Sequence, residues 1–193
     1  MTNRRVLIPL EHTECGQTVF QWYTLHLARP GDIVLFFHLV HGPKSSITTP
    51  MAYVHHGIIE PIKGSASRSP HSTMSDRKDE TLDEELATKA NEIYDYFVKQ
   101  VEQLAQKLTT YPNSEILCGN NLEIIEHRVC VQRGTHAGKA IVDAQMWFGA
   151  DCIVMGSRDL NILKRTFLGS VSTYVMHNVS VATIIVPPIQ PLV

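Results

Sequence analysis

The sequence predicts a three-layer α/β/α domain on a five-stranded parallel sheet, with a long insertion after the second strand. Three observations carry this. Short apolar runs alternate along the chain with amphipathic stretches of helical period, the order expected of strand and helix in a parallel sheet. The runs Ile33-Val34-Leu35-Phe36-Phe37 and Cys152-Ile153-Val154-Met155 lack a polar face, as strands covered on both sides do. Small residues, Gly156-Ser157 and Gly169-Ser170, fall where a strand ends and where the next helix begins.

Val6 to Leu10 reads as the first strand, with Pro9 tolerated near its end. A helix follows over about Gly16 to Ala28, with Val19, Trp22, Tyr23 and His26 near one face, widened by Phe20 and Leu27. Arg29-Pro30-Gly31 stops it. Asp32 to Val40 is the second strand. Residues 41–78 differ in kind: prolines at 43, 50, 61 and 70, many Ser and Thr, and histidines at 41, 55, 56 and 71. This segment reads as a flexible insertion within one domain spanning 1–193, with hints of order only at Met51–Val54 and Gly57–Ile59. Its histidines read as solvated loop, because no carboxylate or cysteine stands at ligand spacing.

Glu80 to Leu108 is predicted as a long helix, with Leu82, Leu86, Ile93, Tyr94, Phe97, Val101, Leu104 and Leu108 spaced by threes and fours. Leu122 to Val131 is the third strand, expected to be less buried than the second. Ala137 to Phe148 is a helix with Ala140, Ile141, Ala144 and Trp147 or Phe148 inward. Residues 152–155 form the fourth strand, Val171 to Asn178 the last helix, and Val181 to Val186 the fifth strand, closed by Pro187-Pro188.

Composition narrows the function. A formal net charge of -2 gives no reason to expect a nucleic-acid surface. No run of 18 apolar residues suggests a membrane span, and the N-terminus enters a strand too soon for a signal peptide. The four cysteines (15, 118, 130, 152) make no CxxC pair and read as free thiols, which points to a reducing, cytoplasmic setting.

In parallel sheets ligands sit beyond the carboxyl ends of the strands, where strand order reverses. Two loops have suitable chemistry, Leu10 to Thr13 and Gly156 to Ser172, and they adjoin if the first strand pairs with the fourth. Backbone donors at Gly169, Ser170 and Val171, with the Ser170 hydroxyl, suit an anion at a helix N-terminus. The bland alternative is that Ser170 only caps the last helix. The glycines are neither a phosphate loop ending in Gly-Lys-Ser/Thr nor a dinucleotide fingerprint after the first strand. No paired nucleophile and oxyanion arrangement is visible. His12 and Cys15 read as loop residues.

Gly156-Ser157-Arg158-Asp159, then nine residues, then Gly169-Ser170-Val171-Ser172, resembles the universal stress protein family. That family has a small flavodoxin-like, Rossmann-like fold, and its nucleotide-binding subgroup carries Gly-x2-Gly-x9-Gly-Ser/Thr after the fourth strand. The flanking Val154-Met155 and Leu168, and the ending Val181 to Pro187, are similar too.

The resemblance implies an ATP-binding, cytoplasmic stress-response protein in which nucleotide acts as a switch toward an unknown protein partner. It implies a homodimer paired through strand 181–186. By matched position it implies a nucleoside site at Pro9, Leu10 and Glu11, adenine packing on Leu39, and a ribose side at Met155 and Gly156. It places phosphates at Gly169-Ser170, with Val171, Ser172 and Arg158 beside them. Two residues depart from the pattern. Glu11 stands for Asp, and Asp159 for the second glycine, where its carboxylate repels phosphate unless it turns away or holds a divalent ion such as Mg2+. These departures motivate the rival expectation, a dimeric interaction module that has lost nucleotide binding. A third is an enzyme that hydrolyses nucleotide slowly.

Overall fold

The computed structural model describes residues 3–10, 14–42, 51–55, 58–61, 84–96, 99, 125–157 and 169–187. In chain order the elements are β1 (Arg5–Leu10), α1 (Glu14–His26), β2 (Ile33–His41), β3 (Met51–His55), β4 (Ile58–Pro61), α2 (84–96), β5 (Glu126–Gly134), α3 (Ala137–Phe148), β6 (Cys152–Gly156), α4 (Ser170–Asn178) and β7 (Ala182–Val186). They build one sheet in the order β4-β3-β5-β2-β1-β6-β7.

Strands β5, β2, β1, β6 and β7 are mutually parallel, so the predicted five-stranded sheet is present. The chain runs outward from β1 through β2 to β5, then returns to β1's other side with β6 and β7. Strand order therefore reverses between β1 and β6, which pair through Val6–Cys152 and Leu7–Ile153.

Alternation along these strands divides the core in two, because successive side chains leave opposite faces. Val6, Ile8, Val34, Phe36, Val129, Val131 and Val154 pack with Val19, Phe20 and Tyr23 of α1 and with Leu86, Ala90 and Ile93 of α2. Leu7, Leu35, Phe37, Cys130, Ile153 and Met155 pack with Ala140, Ile141, Ala144 and Phe148 of α3 and Val175 of α4. These are the three predicted layers.

Residues 51–61 extend the expected sheet. The hints of order there are β3 and β4, an antiparallel hairpin laid along β5 from Met51–Gln132 to His55–Arg128. The remainder of the 41–78 segment from residue 43 onward lies outside the described residues. β5 is not the more exposed strand expected from its alternation: Val129 to Gln132 are all buried, with Val129 and Val131 in the core cluster of α1 and α2 and Cys130 in that of α3, while β3 pairs along its other edge.

Smaller corrections have local causes. α1 starts and ends two residues early, and His26 is exposed rather than inward. Its ring stacks on Trp22 at 5.0 Å and its Nδ1 meets the Trp22 carbonyl, so the inner face is Val19, Phe20 and Tyr23. β5 continues through Arg133 and Gly134, expected as loop, because β2 pairs with it up to His41–Gly134. Of the long predicted helix, residues 84–96 are helical, while Leu82, Phe97, Val101, Leu104 and Leu108 lie outside the description. Phe148 faces inward and Trp147 outward. Cys130 and Cys152 are buried free thiols, as expected, and burial raises the pKa of both.

At the amino ends of the strands, Asp32 is 1% exposed and gathers several donors. Arg4 gives Nε to Oδ1 at 2.9 Å and Nη2 to Oδ2 at 2.6 Å; the Tyr23 hydroxyl and the Arg29 amide also donate to Oδ2. This network fastens β1, α1 and β2 at the end of the sheet away from the site described next.

Candidate functional site

At the carboxyl ends of the strands, where strand order reverses, lies a cavity of about 430 Å³. That volume suits a small organic ligand. β1 contributes Pro9 and Leu10. β2 contributes Phe37, His38, Leu39 and His41. β6 contributes Met155 and Gly156, and α4 opens into the cavity with Gly169, Ser170, Val171 and Ser172. Gly16 and Val19 of α1 and Ala137 and Ile141 of α3 complete the wall.

Nine sequence-predicted site residues thus meet in one cavity: Pro9, Leu10, Leu39, Met155, Gly156, Gly169, Ser170, Val171 and Ser172. The other three, Glu11, Arg158 and Asp159, lie outside the described residues, as does His12.

The cavity has two chemical ends. Toward β2 the walls are apolar at Leu39 and Phe37 on the sheet and Ala137 and Ile141 on α3, with His38 and His41 the polar side chains of that strand that also line it. Toward α4 it is a donor surface. Gly169 is the N-cap, in extended conformation with φ -61° and ψ 158°, and no side chain caps the helix. The first intrahelical bond runs from the Thr173 amide to the Gly169 carbonyl at 2.9 Å. The amides of Ser170, Val171 and Ser172 therefore have no acceptor within the helix. No acidic residue occupies the first turn, so no side chain of that turn offsets the positive end of the helix dipole. Ser172 is 4% exposed and lines the cavity. An added Cβ at Gly169 would meet nothing within 4 Å.

His38 links two of the walls. Its Nδ1 lies 3.0 Å from the Leu10 carbonyl, at the last residue of β1, whose Cα pairs with that of His38. A carbonyl only accepts, so the imidazole donates and Nδ1 carries the hydrogen. The chain leaves β1 for the 11–13 loop from this anchored carbonyl.

The sequence reading missed His38, His41, Phe37, Gly16, Val19, Ala137 and Ile141 as cavity residues. For Phe37 and His41 a signal existed: with Leu39 they alternate along β2 and so share its face. For the helix residues no local signal existed, since their approach depends on how α1 and α3 pack. α3 packs so near α4 that a Cβ at Gly138 would sit 2.8 Å from Tyr174 Cδ1.

Residues 62–187, more than half of the chain, match the universal stress protein family model. The chain belongs to the universal stress protein family. No curated protein matches the sequence. Among solved structures, the universal stress protein UspA from Lactobacillus plantarum is similar at 16% identity and a TM-score of 0.49, covering 96% of this chain and 99% of that one. A universal stress protein from Archaeoglobus fulgidus is similar at 15% identity and a TM-score of 0.43, over 94% and 97%. A universal stress protein in complex with cAMP is similar at 15% identity and a TM-score of 0.44, over 96% and 98%. Among the described residues, no helix is long and apolar enough to cross a membrane.

Proposed function

We propose that this universal stress protein binds an adenine nucleotide, ATP, in the cavity between β1, β2, β6 and α4. One observation supports the reading above others: an apolar slot and an uncapped helix N-terminus face the same cavity at the strand-order reversal. The base lies along Leu39. The ribose lies by Leu10, Met155 and Gly156. The phosphates lie on the amides of Ser170 to Ser172 and on the Ser170 hydroxyl. Nucleotide then acts as a switch. Bound between the loops after β1 and β6, it favours one arrangement of both and so alters a surface for a protein partner.

The protein also pairs with a second copy through β7. Among the described residues this strand stands at the edge of the sheet, with β6 on one side, and an edge strand is a surface that a symmetric partner could extend. Sedimentation should then give twice the chain mass, and a monomer at all concentrations would exclude this pairing.

The test of binding is calorimetric titration of nucleotide-free protein with ATP, with and without Mg2+. Saturable binding is expected, and a Mg2+ dependence that is lost in Asp159→Ala would assign Asp159 to the ion. No binding at millimolar ATP would favour an interaction module that has lost the ligand, with Asp159 and Glu11 the first substitutions to reverse.

A further inference from the structure

We propose that His41 is the specificity residue of this cavity, hydrogen-bonding the substituent on the outer edge of the base's six-membered ring. The inference rests on the nucleotide reading above and names the group that would read the base.

Phe37, Leu39 and His41 lie on one face of β2 by strand alternation, and all three line the cavity. They form a graded wall. Phe37 is buried at its floor, Leu39 is half-buried, and His41 is exposed at its mouth. A flat apolar ring held against Leu39 therefore has its outer edge beside the imidazole.

The anionic end of the ligand is placed independently. α4 begins after β6, and β6 and β2 flank β1 on its two sides. Two strand spacings separate them, about 10 Å, a span that a nucleoside monophosphate bridges.

The other polar side chains of the described wall are engaged or distant. Ser170 and Ser172 belong to the α4 end, and His38 is tied to the Leu10 carbonyl. At the β2 end the polar side chain is His41. An imidazole has both a donor and an acceptor nitrogen, so it can meet an exocyclic amino group at a ring edge.

The test compares two probes, AMP and purine riboside 5′-monophosphate, which lacks the 6-amino group. Each is titrated into the wild type, His41→Phe and His41→Gln. The wild type is expected to bind AMP about tenfold tighter than the analogue, the worth of one hydrogen bond in a partly buried site. His41→Phe should bind both equally, with affinity for the analogue retained. His41→Gln should restore most of the preference. An AMP preference in His41→Phe equal to that of the wild type, or no preference in the wild type, overturns the role of His41 and leaves nucleotide binding standing. Binding of neither probe to the wild type overturns the role of His41, and if ATP also fails to bind, the nucleotide reading falls with it.

Discussion

A buried carboxylate and a partly buried imidazole show how single side chains set stability apart from the cavity. The Asp32 carboxylate is neutralised and bonded by Arg4, Tyr23 and the Arg29 amide, and next to it the Tyr23 hydroxyl is held protonated by burial and by that bond. Arg4 is partly exposed, so the loss of Asp32 falls on the buried donors it accepts from, and a buried donor left without a partner costs on the order of 1–3 kcal/mol. Asp32→Ala should therefore lower unfolding stability by an amount of that order in a denaturant titration. Nucleotide affinity in the folded fraction should be unchanged, since the network lies at the opposite end of the sheet. His127 behaves differently. It lies parallel to Phe36 at 6.0 Å and edge-on to Phe20, and burial lowers its pKa to about 4 from 6.5. The folded state keeps it neutral where the unfolded chain takes up a proton. Its contribution is thus complete above pH 6.5 and is lost as pH falls toward 4, by about 3 kcal/mol in all. His127→Phe should flatten stability between pH 4 and 6.5; an unchanged pH slope would contradict this.

At the scale of elements, α3 and α4 meet through a glycine. A side chain at Gly138 would run into Tyr174, including its Cβ at 3.1 Å, which cannot swing away. Gly138→Ala should push the two helices apart at a cost of about 1–3 kcal/mol. Because both helices open onto the cavity, ligand affinity should fall with it. Gly169→Ala should behave in the opposite way. Its φ of -61° suits any residue, and the added Cβ meets open space, so melting temperature should change little. Affinity should still drop, because the methyl enters the anion's approach to the helix amides. A large loss of stability in Gly169→Ala would mean that the glycine serves the fold rather than the ligand.

Over the whole molecule, the parallel sheet and its layers were legible because β1, β2, β6 and β7 have strand runs too apolar to face water, and α3 has a clear helical period. The hairpin of β3 and β4 was harder to read. Met51–Val54 and Gly57–Ile59 are short, and their pairing with β5 is a long-range choice that no local pattern specifies. Much of the cavity's lining could be read from the ends of strands and from Gly169-Ser170, where backbone chemistry is local. The contributions of Gly16, Val19, Ala137 and Ile141 depend on packing between elements. The Asp32 network was hidden for the same reason: Arg4 and Tyr23 lie 28 and 9 residues away in sequence.

The central claim is that an adenine nucleotide occupies the cavity with its phosphates on the first turn of α4. The most direct test is to follow backbone amide resonances while ATP is added. The amides of Ser170, Val171 and Ser172 should shift most, with Leu39 and Met155 following, and those of Arg4 and Asp32 should stay in place. Saturating shifts confined to other parts of the surface, or none at millimolar ATP, would contradict it.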